Sequence, residues 1–188
     1  MTSERGEEGE PAGARPPDDL HRFRVDVMAN DAADVVCSAG GWIVDRALAG
    51  WDVNVFLARH YDIRPLHIIG AQHFPLESKM AAPHSGTHVQ VFAVAADLFI
   101  GNARVHDNIV KASNRCRSDV IYWGDIRAAK LAFPIDSLQH HLLSAAVAFK
   151  AQALQAAAIE EEAVGSIEEF CGWVRPHGSA IPDLAPVS

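Results

Sequence analysis

Strand-like apolar runs alternate with amphipathic helical stretches along this sequence. That alternation predicts an α/β protein, Rossmann-like and doubly wound, with a mostly parallel sheet of about four strands and helices on both faces. Three stretches carry the prediction. Residues 23–58 read as one βαβ unit: a strand from Phe23 to Ala29, a helix from Asp31 to Ala49, a turn at Gly50 and a strand from Asp52 to Ala58. Residues 62–76 continue it with a short helix and a strand at Gln72–Leu76. Residues 87–123 read as a long helix feeding the strand Asp119–Trp123. Right-handed crossovers then give the strand order 3-2-1-4, the chain winding one way and returning to lay its fourth strand beside its first.

Each element has local reasons. Phe23, Val25, Val27 and Ala29 alternate with Arg24, Asp26 and Met28, so the first strand is expected to carry a polar face or lie near an edge. Asn30 is a good helix cap, and Asp31 and Asp34 suit the positive end of the helix that follows. Its apolar stripe is Val35, Val36, Ala39, Trp42, Ile43 and Leu48. Gly40-Gly41 interrupts the helix at about 1 kcal/mol per glycine relative to alanine. Close packing on the sheet explains such a pair, as does a ligand approaching bare backbone. Arg64–Gly70 reads as a helix with Pro65 in its first turn and Gly70 as its left-handed stop, the alternative being a strand in a hairpin. Thr87-x-x-Gln90 reads as a capping box, followed by Val91, Val94, Ala95, Leu98, Val105 and Ile109 at helical spacing. Residues 125–135 suggest a short helix and an edge strand at Leu131–Phe133. Asp136-x-x-Gln139 reads as another box, opening a long Ala-rich helix through Leu138, Leu142, Ala145, Phe149 and Ala156. That helix would pack on its own sheet or serve a dimer interface. Ser166-x-x-Glu169 opens a last short helix through Val174.

Composition sets the class. The 188 residues, 49% apolar and 21% charged, suffice for one domain with a sizeable core. The division is a disordered acidic tail over 1–19, a single α/β domain over 20–175, and a flexible C-terminal tail over 176–188 containing Pro176, Pro182 and Pro186. The first 19 residues hold six acids against two arginines, a net −4 of the chain's −8. The body is therefore only mildly acidic, and without a Lys/Arg cluster it argues against nucleic acid as a partner. No apolar run approaches the roughly 20 residues of a membrane span, and no leader pattern is visible at the N-terminus. Cys37, Cys116 and Cys171 form no C-x-x-C pair. Cys37 and Cys171 read as buried small hydrophobes, and a cytoplasmic location fits.

In sheets of this kind, ligands bind outside the carboxyl ends of the strands, where the strand order reverses. The expected edge gathers Asn30, Asp31, Trp123, Gly124 and Asp125. Arg59, His60 and Tyr61 follow the second strand there, and a loop with His84, Ser85, Gly86 and His88 opens on the same side. The turn Ala29-Asn30-Asp31-Ala32 has no glycine, and Asp31 would repel a pyrophosphate, so the usual dinucleotide site is excluded. No phosphate loop of the G-x-x-x-x-G-K-[ST] type exists, and no aspartate closes the third strand as a receiver domain would need. His84-x-x-x-His88 with Asp31 or Asp125 would make a two-His, one-carboxylate metal set. His140-His141 reads as a structural pair on a helix, and Ser85 lacks a G-x-S-x-G elbow. Trp123 reads as core or as a stacking surface for a planar ligand.

These absences imply no cofactor. They favour a non-catalytic module acting through a protein partner or by self-association as a homodimer. The alternative is an enzyme, or a small-ligand or metal-binding protein, using the carboxyl edge of strands one and four. Asp31 and Asp125 would then act as acid/base groups or metal ligands, with His84 or His88 assisting.

Overall fold

The computed structural model describes residues 22–59, 62–81, 88–116, 118–129, 131, 135–160, 164–173, 181 and 183–187. Strand β1 (Arg24–Ala29) leads through helix α1 (Ala32–Leu48) to β2 (Asp52–Leu57), and α2 (Arg64–Ile68) leads to β3 (Gln72–Pro75). The two crossovers make β1, β2 and β3 parallel neighbours, with Val27 beside Val55 and Phe56 beside Phe74. This is the winding that the βαβ stretch predicts. Gly50 and Gly70 supply the left-handed stops, with φ of +82° and +79°.

The chain then returns through α3 (Leu76–Ala81) to β4 (Val91–Ala95), which lies parallel to β1 on its other side. Helices α4 (Ala96–Gly101) and α5 (Ala103–Cys116) lead to β5 (Asp119–Trp123), parallel to β4. A 3-10 turn at Ile126–Ala129 precedes β6 (Asp136–His141), α6 (Ser144–Ala156), β7 (Ile167–Trp173) and the two-residue β8 (Ala185–Pro186). The eight strands form one sheet in the order β3-β2-β1-β4-β5-β7-β6-β8. Pairing is antiparallel from β5 to β8. Helices α1, α2 and α6 contact one another, while α3 and α4 contact α5.

The α/β class therefore holds, but the sheet has eight strands of mixed direction and not about four parallel ones. Three segments expected to be helical are strands. Val91–Ala95 is buried at every position, and a fully buried parallel strand reads as a continuous apolar run with no period of its own. Gln90, expected to cap a helix, instead uses its Oε1 to accept from Arg24 N at 2.6 Å, pinning β4 to the start of β1. Thr87 lies outside the described residues.

Asp136–His141 alternates, with Leu138 and His140 buried and their neighbours less so. The helix begins only at Ser144, and it packs on α1 and α2 as an outer layer. Ile167–Trp173 alternates too, but its inward positions include Glu168, 3% exposed, which hides the apolar pattern. Strand β1 lies inside the sheet, not near an edge. Its Asp26 is 0% exposed and neutralised by Lys79 Nζ at 2.6 Å and Arg24 Nε at 2.7 Å.

Of the described C-terminal residues, expected to be loose, Ala185, Pro186 and Val187 are exposed and others are packed. Ile181 and Leu184 are buried, and β8 pairs with β6 at Leu138–Pro186 and Gln139–Ala185. Cys37, expected to be buried, is exposed, and Cys171 is half-buried. The expected strand at Leu131–Phe133 falls largely outside the described residues. Among the described residues, no helix is long and apolar enough to cross a membrane.

Candidate functional site

The sheet order reverses between β1 and β4, one strand nearer than the sequence suggests. The carboxyl ends flanking that point are Ala29-Asn30 and Ala95-Ala96-Asp97. A hydrogen bond bridges them: Asn30 Nδ2 donates to Asp97 Oδ2 at 2.7 Å. Asp31, and not Asn30, caps α1, its Oδ1 accepting from Asp34 N at 3.0 Å. Its Oδ2 accepts from Arg59 Nη2 at 2.8 Å, so the residue after β2 closes over the start of α1. His60 and Tyr61 lie outside the described residues.

Asp34, one turn into α1, faces the end of β5. Trp123 Nε1 donates to both carboxylate oxygens at 3.1 Å, and Ser38 Oγ donates to Oδ1 at 3.3 Å. Burial raises the pKa of Asp34 most. The bonds from Trp123 and Ser38 oppose it, and the charges of Asp97 and Asp31 add to it, leaving a net upward shift. Trp123 is 3% exposed, so it is a core residue that holds Asp34 and offers no open face for stacking.

Gly124 ends β5 with φ +84°, and a Cβ there would stand 3.5 Å from the Ala96 Cβ. The left-handed turn favours glycine, while the contact with Ala96 would be an ordinary one. Asp125 lies beyond it, exposed, with Arg127 Nε and Nη2 each donating at 2.8 Å. Those bonds push its pKa down to about 2.

Two hollows meet at this edge. One, of about 440 Å³, is lined by Asp34, Asp97, Trp123, Gly124 and Asp125 with the apolar Ala96 and Ile100. The other, of about 490 Å³, is lined by Gly124, Asp125, Arg127, Ile126, Ile135, Ser137 and Cys171. The Cys171 thiol has its pKa raised, by burial first and by the Asp125 charge second, so it is a poor nucleophile.

Asn30 and Asp31 follow β1, and Gly124 and Asp125 follow Trp123 at the end of β5, but β4 lies between those strands; of the five, Trp123, Gly124 and Asp125 line the hollows. The edge adds Asp34 and Asp97, which the sequence did not single out as functional. Asp97 could have been found by ending a strand at Ala95, since an acid just past a parallel strand falls on this edge. His88 is exposed and three residues before β4, at the amino edge of the sheet, away from Asp31 and Asp125. His84, Ser85 and Gly86 lie outside the described residues. Among the described residues, no three His, Cys, Asp or Glu side chains converge as metal ligands. The described edge also carries no histidine and commits Asp31 and Asp125 to arginines, a poor fit for zinc or ferrous iron.

No protein-family model matches this chain, and no curated protein matches it. Solved structures share its fold. A deacetylase of teicoplanin biosynthesis, in complex with teicoplanin, superposes with a TM-score of 0.55 at 12% identity, over 80% of this chain and 97% of the other. The same pathway's deacetylase in its zinc-inhibited form gives 0.53 at 11% identity, over 83% and 100%. GalB, the 4-carboxy-2-hydroxymuconate hydratase of Pseudomonas putida KT2440, gives 0.54 at 11% identity, over 83% and 98%. At such identities the likeness is one of fold. The expectation of a non-catalytic association module finds no support in these neighbours, whose names are those of a deacetylase and a hydratase.

Proposed function

We propose that this chain is an enzyme acting on a small molecule at the carboxyl edge of β1, β4 and β5, with Asp34 as its proton-transfer group. One observation carries the reading. A half-buried carboxyl with a raised pKa forms part of a hollow at the switch point, and an indole N–H fixes its orientation. A carboxyl kept protonated to higher pH is a better general acid, and its conjugate base a better base. The charge of Asp97 opposes ionisation of Asp34 and is itself aimed by Asn30. Asp125, held ionised at low pKa by Arg127, suits substrate positioning better than proton transfer.

The reaction class that best suits this arrangement is addition of water. Deacetylation and hydration, the reactions that the neighbours' names denote, both consume water. A carboxylate at Asp34 would take a proton from an attacking water, and its acid form would return that proton to the leaving or newly saturated atom.

The test is a panel of N-acetylated amines and unsaturated carboxylic acids, assayed for acetate release and for loss of the double bond. Turnover should appear with at least one class, and Asp34→Asn should lower kcat by about 10²-fold or more. Absence of turnover across the panel, or Asp34→Asn turning over at the wild-type rate, would overturn the reading.

A further inference from the structure

A second titratable assembly lies away from the carboxyl edge. His140, 4% exposed on β6, sits between two carboxylates. Its Nε2 is 2.8 Å from Asp45 Oδ2 on α1, and its Nδ1 is 2.9 Å from Asp183 Oδ2 on the C-terminal segment. The second contact is close but poorly aligned as a hydrogen bond, so it acts chiefly through charge. Arg46 Nη2 also reaches Asp183, at 2.7 Å. Glu168 stands across the strand from His140, but Lys150 neutralises it at 2.8 Å. Beyond these ties, the segment is held by the burial of Ile181 and Leu184 and by a short strand pairing. The bond from Val187 N to Ser137 O, at 2.9 Å, closes that pairing.

We propose that His140 is a pH-operated latch that holds the C-terminal residues 181 and 183–187 against β6. With both nitrogens protonated, the ring bridges Asp45 and Asp183 as a cation between two anions. Loss of one proton to solvent leaves a lone pair facing a carboxylate, and the bridge becomes a repulsion on one side. Arg46 alone then ties Asp183. Burial works against the charged ring, but its contacts with Asp183 and Asp45 outweigh that, so its pKa stands above the ordinary imidazole value. Asp183 is shifted down despite burial, by its contacts with His140 and Arg46, so it remains an anion as His140 titrates. The latch is therefore closed below the pKa of His140 while Asp183 is ionised, and opens as pH rises through the pKa of His140.

The experiment is amide hydrogen exchange of the C-terminal peptide in the full chain, corrected for the intrinsic pH dependence of exchange. From about pH 6 to about pH 9, protection of residues 183–187 should fall on the order of tenfold. His140→Gln should exchange at a rate that does not vary with pH. Protection that is constant in the wild type, or that still falls in His140→Gln, overturns the proposal. If His140→Gln does not fold, Asp183→Asn carries the test: the imidazole resonance of His140 should titrate at lower pH than in the wild type. An unchanged titration overturns the proposal. This outcome is independent of the role proposed for Asp34, which the exchange measurement does not read.

Discussion

Asp34 shows how one carboxyl acquires a different chemistry from its neighbours. Asp31 has an arginine and a backbone N–H, and Asp125 has an arginine held in register with it. Asp34 has only neutral donors and two nearby negative charges. Trp123→Phe removes the indole donor, which lowers the pKa, so the carboxyl of Asp34 should titrate higher still. A carbon-detected NMR titration checks this, and a downward or absent shift contradicts it. The linkage has an unusual sign for an aspartate. Because its folded pKa is raised, the stability Asp34 contributes is full below its unfolded pKa and is lost as pH rises through the folded one. Asp34→Asn, which keeps an acceptor for Trp123 and removes the charge, should therefore raise the thermal midpoint at neutral pH and lower it little in acid. A lower midpoint at neutral pH would mean that the carboxylate stabilises the fold.

At the scale of one element, a buried ion pair hydrogen-bonds the backbone of α1. Gly41 N and Trp42 N donate to Glu168 Oε1 and Oε2 at 2.8 and 2.7 Å, and Lys150 Nζ donates to Cys37 O at 2.7 Å. The pair's partners lie in the turn that holds Gly40-Gly41. Packing accounts for Gly41, whereas a Cβ on Gly40 would meet only ordinary contacts, the nearest 3.5 Å away. A Cβ on Gly41 would stand 2.4 Å from the Leu142 Cδ1. Gly41→Ala should cost about 1–3 kcal/mol by urea denaturation, and Leu142→Ala should recover part of it, because the clash is with one flexible side chain. Glu168→Ala should cost about 3–5 kcal/mol, since it strands Lys150 and two backbone N–H groups. Replacing Lys150 with Met as well should cost less than the single change, because no unpaired charge is then left buried. Equal costs would show that the two charges are not coupled.

Across the whole molecule, buried charge links layers that apolar packing alone would leave free to slide. Lys79 on α3 meets Asp26 on β1 from one side of the sheet, flanked by the rings of Phe56 and Phe92 at 5.6 Å. Lys79→Ala should cost about 3 kcal/mol or more in urea, because Asp26 stays buried with Arg24 and Asn54 only. A cost below about 1 kcal/mol would show that Arg24 suffices.

The sequence alone determined the local winding. Strand, helix and turn between Phe23 and Ala58 followed from the spacing of apolar side chains and from Gly50. The short helix and strand after it followed from Pro65 and Gly70. The ends of the strands at Ala29 and Trp123 were also legible, because the end of a parallel strand is a local feature, but β4 between them was not. Only the tertiary structure decided that Val91–Ala95, Asp136–His141 and Ile167–Trp173 are strands. A strand buried on both faces has no period to read, and an inward Glu168 or His140 looks polar until its partner, more than ten residues away or on another layer, is known. The same reason hid Asp34 and Asp97. Their significance lies in what surrounds them, and the decisive neighbours, Trp123 for Asp34 and Asn30 for Asp97, are far away in the sequence.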